Sequence, residues 1–286
     1  MNIRPKVIVV VLNKNGKDCL QDCLRGVFQS SYSNFEVVVV DNDSRDGSLE
    51  DAKSMFSRSH FILNRENLGF AAGMNVGIRY AFSQGARYVW VLNNDAVPGG
   101  DALSELVKTA EKHEDMAILS PLIFDPKGKV WFSGGKVDYF RMRARHVSSP
   151  GVRRANIPYG SAYLSGCALF LPKKALDRVG LFDEGYFLYY EDADFSIRAR
   201  KAGIELLVVP NAVVVHAERS NMNPEKLYWL VRSGLLFFRK NTPKILRPWT
   251  TVYLFLRKMK NDHDRRRGGT ESDLVARAYA DSRKDA

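Results

Sequence analysis

The segment RYVWVLNNDAVP, residues 87–98, carries four consecutive large apolar side chains, Val89 to Leu92, and then breaks into Asn93, Asn94 and Asp95. An apolar run bounded by turn formers reads as a strand buried on both faces. It has counterparts along the chain. KVIVVVL (6–12) stops at Asn13, and FEVVVV (35–40) stops at Asp41, Asn42 and Asp43. HFILN (60–64) and MAILSP (116–121) continue the series, and helical patterns around 17–29, 47–57, 70–84 and 100–113 fill the intervals. Continuous apolar strands alternating with helices restrict the chain to an α/β fold, a mostly parallel, Rossmann-like sheet with helices on both faces.

The character changes after residue 121. Residues 122–165 are richer in Gly, Ser, Arg and Tyr, and their short runs predict antiparallel strands and loops. SAYLSGCALFLP (161–172) reads as a strand ended by Pro172. EDADFSIRARKAG (191–203) reads as a helix with acids in its first turn, bases near its end and Gly203 as its C-terminal stop. ELLVVPNAVVVH (205–216) reads as two short strands, and helices are expected at 224–240 and 244–260. The expected organisation is a catalytic domain over 1–223, in halves 1–121 and 122–223. A helical extension over 224–260 and a basic, flexible tail over 261–286 follow.

The net charge of +11 is concentrated at the C-terminal end, where residues 228–286 hold 14 Lys or Arg against 6 Asp or Glu. Basic segments suit nucleic acid or an anionic membrane. No nucleic-acid motif accompanies this one, whereas aromatic residues interleave with its cations, which suits a membrane interface. The apolar run VIVVVL is too short for a signal core or a membrane span, and no stretch approaches 18 uncharged apolar residues. Cys19, Cys23 and Cys167 are too few for a disulfide framework and read as reduced thiols of a cytoplasmic protein, peripheral to a membrane at most.

In open parallel sheets, ligands bind beyond the carboxyl ends of the strands. Three neighbouring strands here end in small polar or acidic groups: Asn13 and Asn15, Asp41 to Asp43, and Asn93 to Asp95. That edge reads as a nucleotide site. Asp95 suits a hard divalent cation, and Asp41 is placed to accept from a base N–H. The loop NRENLGFAAGMNVG (64–77) adds Asn67, Gly69 and Asn75 as donor-binding candidates, its glycines allowing close backbone approach to a ligand. A second acidic centre is Glu191 and Asp192, preceded by Phe182, Tyr186, Phe187, Tyr189 and Tyr190, aromatic groups able to wall a pocket and stack on a sugar. Each signal has an ordinary structural counterpart. Asp and Asn form turns, acids partner helix dipoles, and a lone histidine such as His216 is often structural.

Taken in order, VVVLNKNG, VVVVDNDSRDGS, NRENLGFAAGMNVGIRYA, VWVLNNDAVP, SGCALFLPKKALDRVGLFDEGYFLYYEDADFSIRARKAG and VVVHAERS resemble the motifs of family 2 glycosyltransferases of the GT-A fold. The similarity is to the subgroup of bacterial rhamnosyltransferases and galactofuranosyltransferases, and covers roughly residues 6–220. The resemblance implies a GT-A sheet, a smaller antiparallel acceptor-side portion and C-terminal helices. It implies transfer from dTDP-rhamnose or a UDP-sugar to a glycan or lipid-linked acceptor. It further implies Asp41 at the base, Asn94 at the donor, and Asp95 with His216 on Mg²⁺ or Mn²⁺. Asp192 would be the catalytic base and Glu191 its neighbour. Asn93 stands where the family's metal motif has its first acid, which leaves Asp95 as the carboxylate there.

Two other readings compete. A sugar nucleotidylyltransferase would carry a glycine-rich loop with Arg and Lys after the first strand, and NKNGKDCLQ is not such a loop. A non-catalytic nucleotide-sugar-binding protein would have no need of Asp192. Assay with labelled nucleotide sugars separates these.

Overall fold

The computed structural model describes residues 4–149, 156–217 and 223–282. The first part follows the expected alternation: β1 (Val7–Asn13), α1 (Leu20–Phe28), β2 (Phe35–Asp41), α2 (Ser48–Met55), β3 (His60–Leu63), α3 (Gly69–Ser83), β4 (Tyr88–Asn93), β5 (Ala96–Pro98), α4 (Ala102–Lys112) and β6 (Ala117–Phe124). The second part holds short strands, β7 (Val130–Phe132), β8 (Gly135–Asp138), β9 (Arg143–His146) and β10 (Tyr159–Gly160), then β11 (Ala168–Pro172), α5 (Lys173–Val179), α6 (Glu191–Lys201) and β12 (Glu205–His216). Three helices follow, α7 (Pro224–Asn241), α8 (Arg247–Arg266) and α9 (Thr270–Asp281).

The central sheet runs β10-β12-β6-β11-β4-β1-β2-β3. Strands β3, β2, β1 and β4 are mutually parallel, so their carboxyl ends share one edge. Asn13 lies level with Asp41, and Leu12 with Asn93. Val7–Val11, Val37–Val40 and Tyr88–Leu92 are all buried. Sheet neighbours close their sides and helices close their faces, which is why the sequence carries unbroken apolar runs here. Each such side chain contributes about 1.5–3 kcal/mol on burial, so this half of the sheet is a rigid platform for the polar groups at its edge. β11 enters antiparallel between β4 and β6, and β8 pairs with β9 in a separate hairpin.

Three expectations need correction. The two strands expected over 205–216 are one strand, with its register shift between Val209 and Val213. Pro210 lies in that irregular stretch, where a residue lacking an N–H does least harm to the ladder. The strand expected over 161–172 is confined to Ala168–Pro172, because the N–H of Gly166 is donated to Asp192 and not to a sheet neighbour. The segment 261–286, expected to be flexible, is helical where described. α8 runs on to Arg266, and α9 packs on α7 with Ala278 and Tyr279 buried. The Tyr228 hydroxyl donates to Asp281 at 2.9 Å, and Arg239 donates to the Ser282 carbonyl at 2.6 Å. Residues 283–286 of that segment, and Glu218–Ser220 of the HAERS motif, lie outside the described residues. No described helix is long and apolar enough to cross a membrane.

Candidate active site

The strand-end residues share the carboxyl edge of the sheet, at two depths. Asn13 and Asp41 are buried and spend their side chains on each other, with Asn13 Nδ2 donating to Asp41 Oδ1 at 2.8 Å. The Ser44 N–H occupies Asp41 Oδ2 at 2.9 Å, and Asn94 Nδ2 donates to Asn13 Oδ1 at 3.0 Å. Gly16 permits this convergence: a Cβ there would sit 2.3 Å from Asn94 Nδ2 and 2.4 Å from Asn13 Oδ1. In front of this buried layer opens a cavity of about 490 Å³ lined by Asn15, Asn67, Gly69, Asn94 and Asp95. Asn67 Oδ1 accepts from the Gly69 N–H at 3.1 Å, and Asn42 ties the same loop to β2 through the Gly69 carbonyl at 2.9 Å.

Asn75 stands apart from the cavity. Its amide is fully buried, donating to the Phe182 carbonyl and Glu184 Oε1 at 2.9 Å each, while its oxygen accepts from the Phe182 N–H at 3.1 Å. It anchors α3 to the start of the loop that leads to Glu191.

Asp95 and His216 meet where β5 pairs with the end of β12. His216 Nε2 lies 3.1 Å from Asp95 Oδ1, and this oxygen is buried without a hydrogen-bond partner. Nδ1 of His216 is likewise buried and unpartnered, with the Trp131 ring 4.4 Å away edge-on. Two ligands each roughly 2.1 Å from one cation stand about 3 Å apart, so this donor pair fits a shared divalent ion. No third His, Cys, Asp or Glu joins the pair among the described residues.

The loop from Phe187 to Asp192 separates two cavities. Phe187 and Leu188 wall the one at Asp95. Tyr189, Tyr190, Glu191 and Asp192 wall a second, of about 320 Å³, closed by His146 and Tyr163. Tyr189 (φ 69°) and Tyr190 (φ 68°) are both left-handed, a conformation that costs roughly 1–3 kcal/mol at non-glycine residues and persists only when its surroundings impose it. Here α7 imposes it. The Ser233 hydroxyl donates to the Leu188 carbonyl at 2.7 Å, and the Tyr190 ring packs against Phe237 and Phe238 at 5.2 and 5.9 Å.

The two acids differ in surroundings. Glu191 is buried, its Oε2 has no partner, and burial followed by the charge of Asp192 pushes its carboxyl well above the ordinary range. Asp192 Oδ2 accepts from the Gly166 N–H at 2.9 Å and Oδ1 from the Ala193 N–H at 2.7 Å. Those donors oppose the effect of burial, which nonetheless raises Asp192 too. Burial and the neighbouring charge push Glu191 further than Asp192, so Glu191 takes up a proton the more readily of the two. Asp194, a further acid of the same turn, is fully buried and committed to Arg198 at 2.9 Å and Lys240 at 3.2 Å.

Residues 6–180 match the family described as Glycosyl transferase family 2. The chain belongs to that family. Among its relatives is the N-acetylglucosaminyl-diphospho-decaprenol L-rhamnosyltransferase of Mycobacterium tuberculosis (strain CDC 1551 / Oshkosh), 30% identical over 202 residues. That match covers 63% of this chain and 66% of the relative, just under two thirds of its length. The dTDP-rhamnosyl transferase RfbF of Shigella flexneri is 25% identical, with 74% of each covered. The solved mannosyltransferase PcManGT from Pyrobaculum calidifontis, in complex with GDP-Man and Mn²⁺, superposes with a TM-score of 0.61 at 19% identity. The superposition covers 100% of this chain and 77% of that one. The shared architecture is the GT-A fold.

Within this family 2 glycosyltransferase, sequence reasoning passed over several residues of both cavities. Lys14 lines the cavity at Asp95 and donates to the Asp43 carbonyl. Its position between Asn13 and Asn15 was the available signal. Asn223, Glu225 and Lys226, at the start of α7, line the same cavity, and nothing in a basic tail marks them out. The aromatic cluster before Glu191 divides. Phe182 and Tyr186 are core residues, Phe187 faces the first cavity and stacks on Trp229 at 4.3 Å, and Tyr189 and Tyr190 face the second.

Gly69 is the most constrained point of the first cavity. Its φ is +78°, and a Cβ would lie 2.3 Å from the Phe187 carbonyl. Gly69→Ala is therefore expected to lower stability by about 1–3 kcal/mol and to weaken nucleotide binding by displacing Phe187. Calorimetry and nucleotide titration check this; an unchanged melting temperature together with unchanged affinity would contradict it.

Proposed function

We propose that the chain is an inverting glycosyltransferase. In this reading it moves a sugar from dTDP-rhamnose or a UDP-sugar to a hydroxyl of a glycan or lipid-linked acceptor in cell-surface polysaccharide synthesis. The observation that carries the reading is the shared wall Phe187–Asp192, with the Asp95 cavity on one side and the Asp192 cavity on the other. A donor in the first cavity would present its anomeric carbon towards an acceptor in the second. The activities that name the mycobacterial and Shigella relatives support rhamnose as the sugar and, for the former, a lipid diphosphate as the carrier of the acceptor. Such an acceptor is presented at a membrane, which suits a peripheral position on its cytoplasmic face.

In the proposed mechanism, Asp192 removes the proton from the acceptor hydroxyl. The oxygen then forms its bond to the anomeric carbon as the bond to the diphosphate breaks on the opposite side, and the nucleoside diphosphate leaves. One displacement inverts the anomeric configuration. Glu191, whose burial favours the protonated form, would then add no second negative charge beside the base. Gly166 and Ala193 fix the Asp192 carboxylate through their N–H groups. Lys14 sets a cation in the donor cavity. Asp95 and His216 would hold Mg²⁺ or Mn²⁺, which supplies counter-charge to the departing diphosphate when bound.

The test is a thermal-shift panel of UDP, dTDP and GDP with and without Mg²⁺ or Mn²⁺, followed by transfer assays with the matching nucleotide sugars. A ligand at 100 times its Kd stabilises by about 2.7 kcal/mol, a shift readily measured. UDP or dTDP should stabilise more with the metal present. Absence of stabilisation by every nucleotide would defeat the reading.

A further inference from the structure

Helix α8 presents an apolar face that nothing in the described structure covers. Ile245, in the turn before it, and Trp249, Val252, Phe255, Leu256 and Met259 are between 43% and 88% exposed. From Trp249 onward they recur every three or four residues and so share one side of the helix. They hold most of the large apolar exposure of the described molecule, although single exposed apolar side chains elsewhere are ordinary. Cations border this face, including Lys244, Arg247, Lys258 and Arg266, and outnumber the acids of α8, Asp262 and Asp264. The helix is held to the body at one end of this face, through the polar edge of Trp249, and through Tyr253. The Trp249 indole donates to the Phe140 carbonyl at 2.9 Å, and the Tyr253 hydroxyl donates to the Arg141 carbonyl at 3.2 Å.

We infer that α8 lies in the plane of an anionic lipid bilayer surface, with this apolar face inserted among the acyl chains and its cations on the headgroups. An amphipathic helix with a basic border is the pattern that binds such an interface without spanning it, and no described helix meets the requirements for spanning. Charge decides against the leading alternative, a second copy of the chain. An isologous contact would set the same basic border against itself. Tyr253, Leu254 and Arg257 of α8 line a cavity of about 650 Å³ between α7, α8 and α9. That cavity shares Ala144, Tyr190 and Leu230 with the one at Asp192 and lies on the body side of α8, away from the exposed face. The inference goes beyond sugar transfer, and nucleotide binding by the same preparations reports on that function separately.

The test is co-sedimentation of the full chain with vesicles of phosphatidylcholine alone and of phosphatidylcholine mixed with phosphatidylglycerol, at low and high salt. Wild-type protein should pellet with the anionic vesicles, less so at high salt, and its tryptophan emission should shift to the blue. The triple variant Phe255→Ser, Leu256→Ser, Met259→Ser alters only exposed side chains. It should keep its circular dichroism and nucleotide affinity while binding the anionic vesicles about tenfold less or weaker still. A second variant, Lys258→Glu with Arg266→Glu, should lose the preference for anionic vesicles. Equal recovery on neutral and anionic vesicles, unimpaired binding by the triple variant, or a solution dimer that the triple variant dissociates would each overturn the inference.

Discussion

Asp192→Asn is expected to leave nucleotide binding within about twofold of wild type and to slow sugar transfer by about 10²–10⁴-fold, the usual range for a lost general base. The substitution is nearly isosteric and the strained Tyr189–Tyr190 turn stays pinned by α7, although only one of the Gly166 and Ala193 N–H groups, which use different oxygens of Asp192, keeps an oxygen partner. What is lost is the capacity to accept the acceptor's proton. Glu191→Gln separates the two acids. If Glu191 already holds a proton, the amide replaces a neutral group by a neutral group, and transfer should stay within a few-fold of wild type. The pH profile carries the same information. Burial raises both carboxyls and a base must be ionised, so kcat/KM should fall with acidity over a range higher than an ordinary aspartate gives. The apparent value belongs to the pair. Transfer by Asp192→Asn at near wild-type rate would remove Asp192 from the chemistry, and Asp194 could not replace it, being enclosed by Arg198 and Lys240.

The parts of the fold that the sequence reveals are those in which one local pattern has one structural solution. Val7–Val11, Val37–Val40 and Val89–Leu92 are buried on both faces, and no polar residue interrupts them. The groups that end those strands are legible for the same reason, since an abrupt change from valine to asparagine or aspartate needs a cause. The depth of those groups is not legible. Asn13 and Asp41 bond each other behind the cavity wall while Asn15 and Asn94 line it, and that depends on how the loops after β1 and β2 cross. Asn75 misleads because the same segment supplies Asn67 and Gly69 to the cavity, whereas α3 has by then run on for about two turns and carries the Asn75 amide to Phe182. α9 is hidden because its apolar residues, alanines among them, are interspersed with charges, and Ala278 and Tyr279 become a packing face only once α7 is beside them. His146 and Tyr163 reach the Asp192 cavity from the short-strand region, where periodicity carries least information.

Asp95→Ala is expected to abolish the metal-dependent part of nucleotide affinity, a loss of about 100-fold or more, given that even outer-sphere partners of a metal cost 10–100-fold. The stability of the metal-free protein gives the sharper test. Asp95 Oδ1 is buried without a hydrogen bond and faces His216 Nε2 at 3.1 Å. A carboxylate oxygen in that condition is a cost to the empty protein unless a cation meets it. Removing it should therefore leave the metal-free melting temperature unchanged or raise it, while the stabilisation by Mg²⁺ or Mn²⁺ with nucleotide disappears. An ordinary ion pair between Asp95 and His216 makes the opposite forecast. Breaking a buried pair strands the partner and lowers stability, and nucleotide affinity would then fall equally with and without metal. His216→Ala should act in the same direction as Asp95→Ala but less strongly, about tenfold, because it removes a neutral donor and leaves the carboxylate in place. Calorimetry of the three proteins, with EDTA and then with each metal and nucleotide, distinguishes the two outcomes by sign. A lowered metal-free melting temperature in Asp95→Ala, with metal-stimulated nucleotide binding intact, would show the pair to be structural and would move any divalent ion elsewhere.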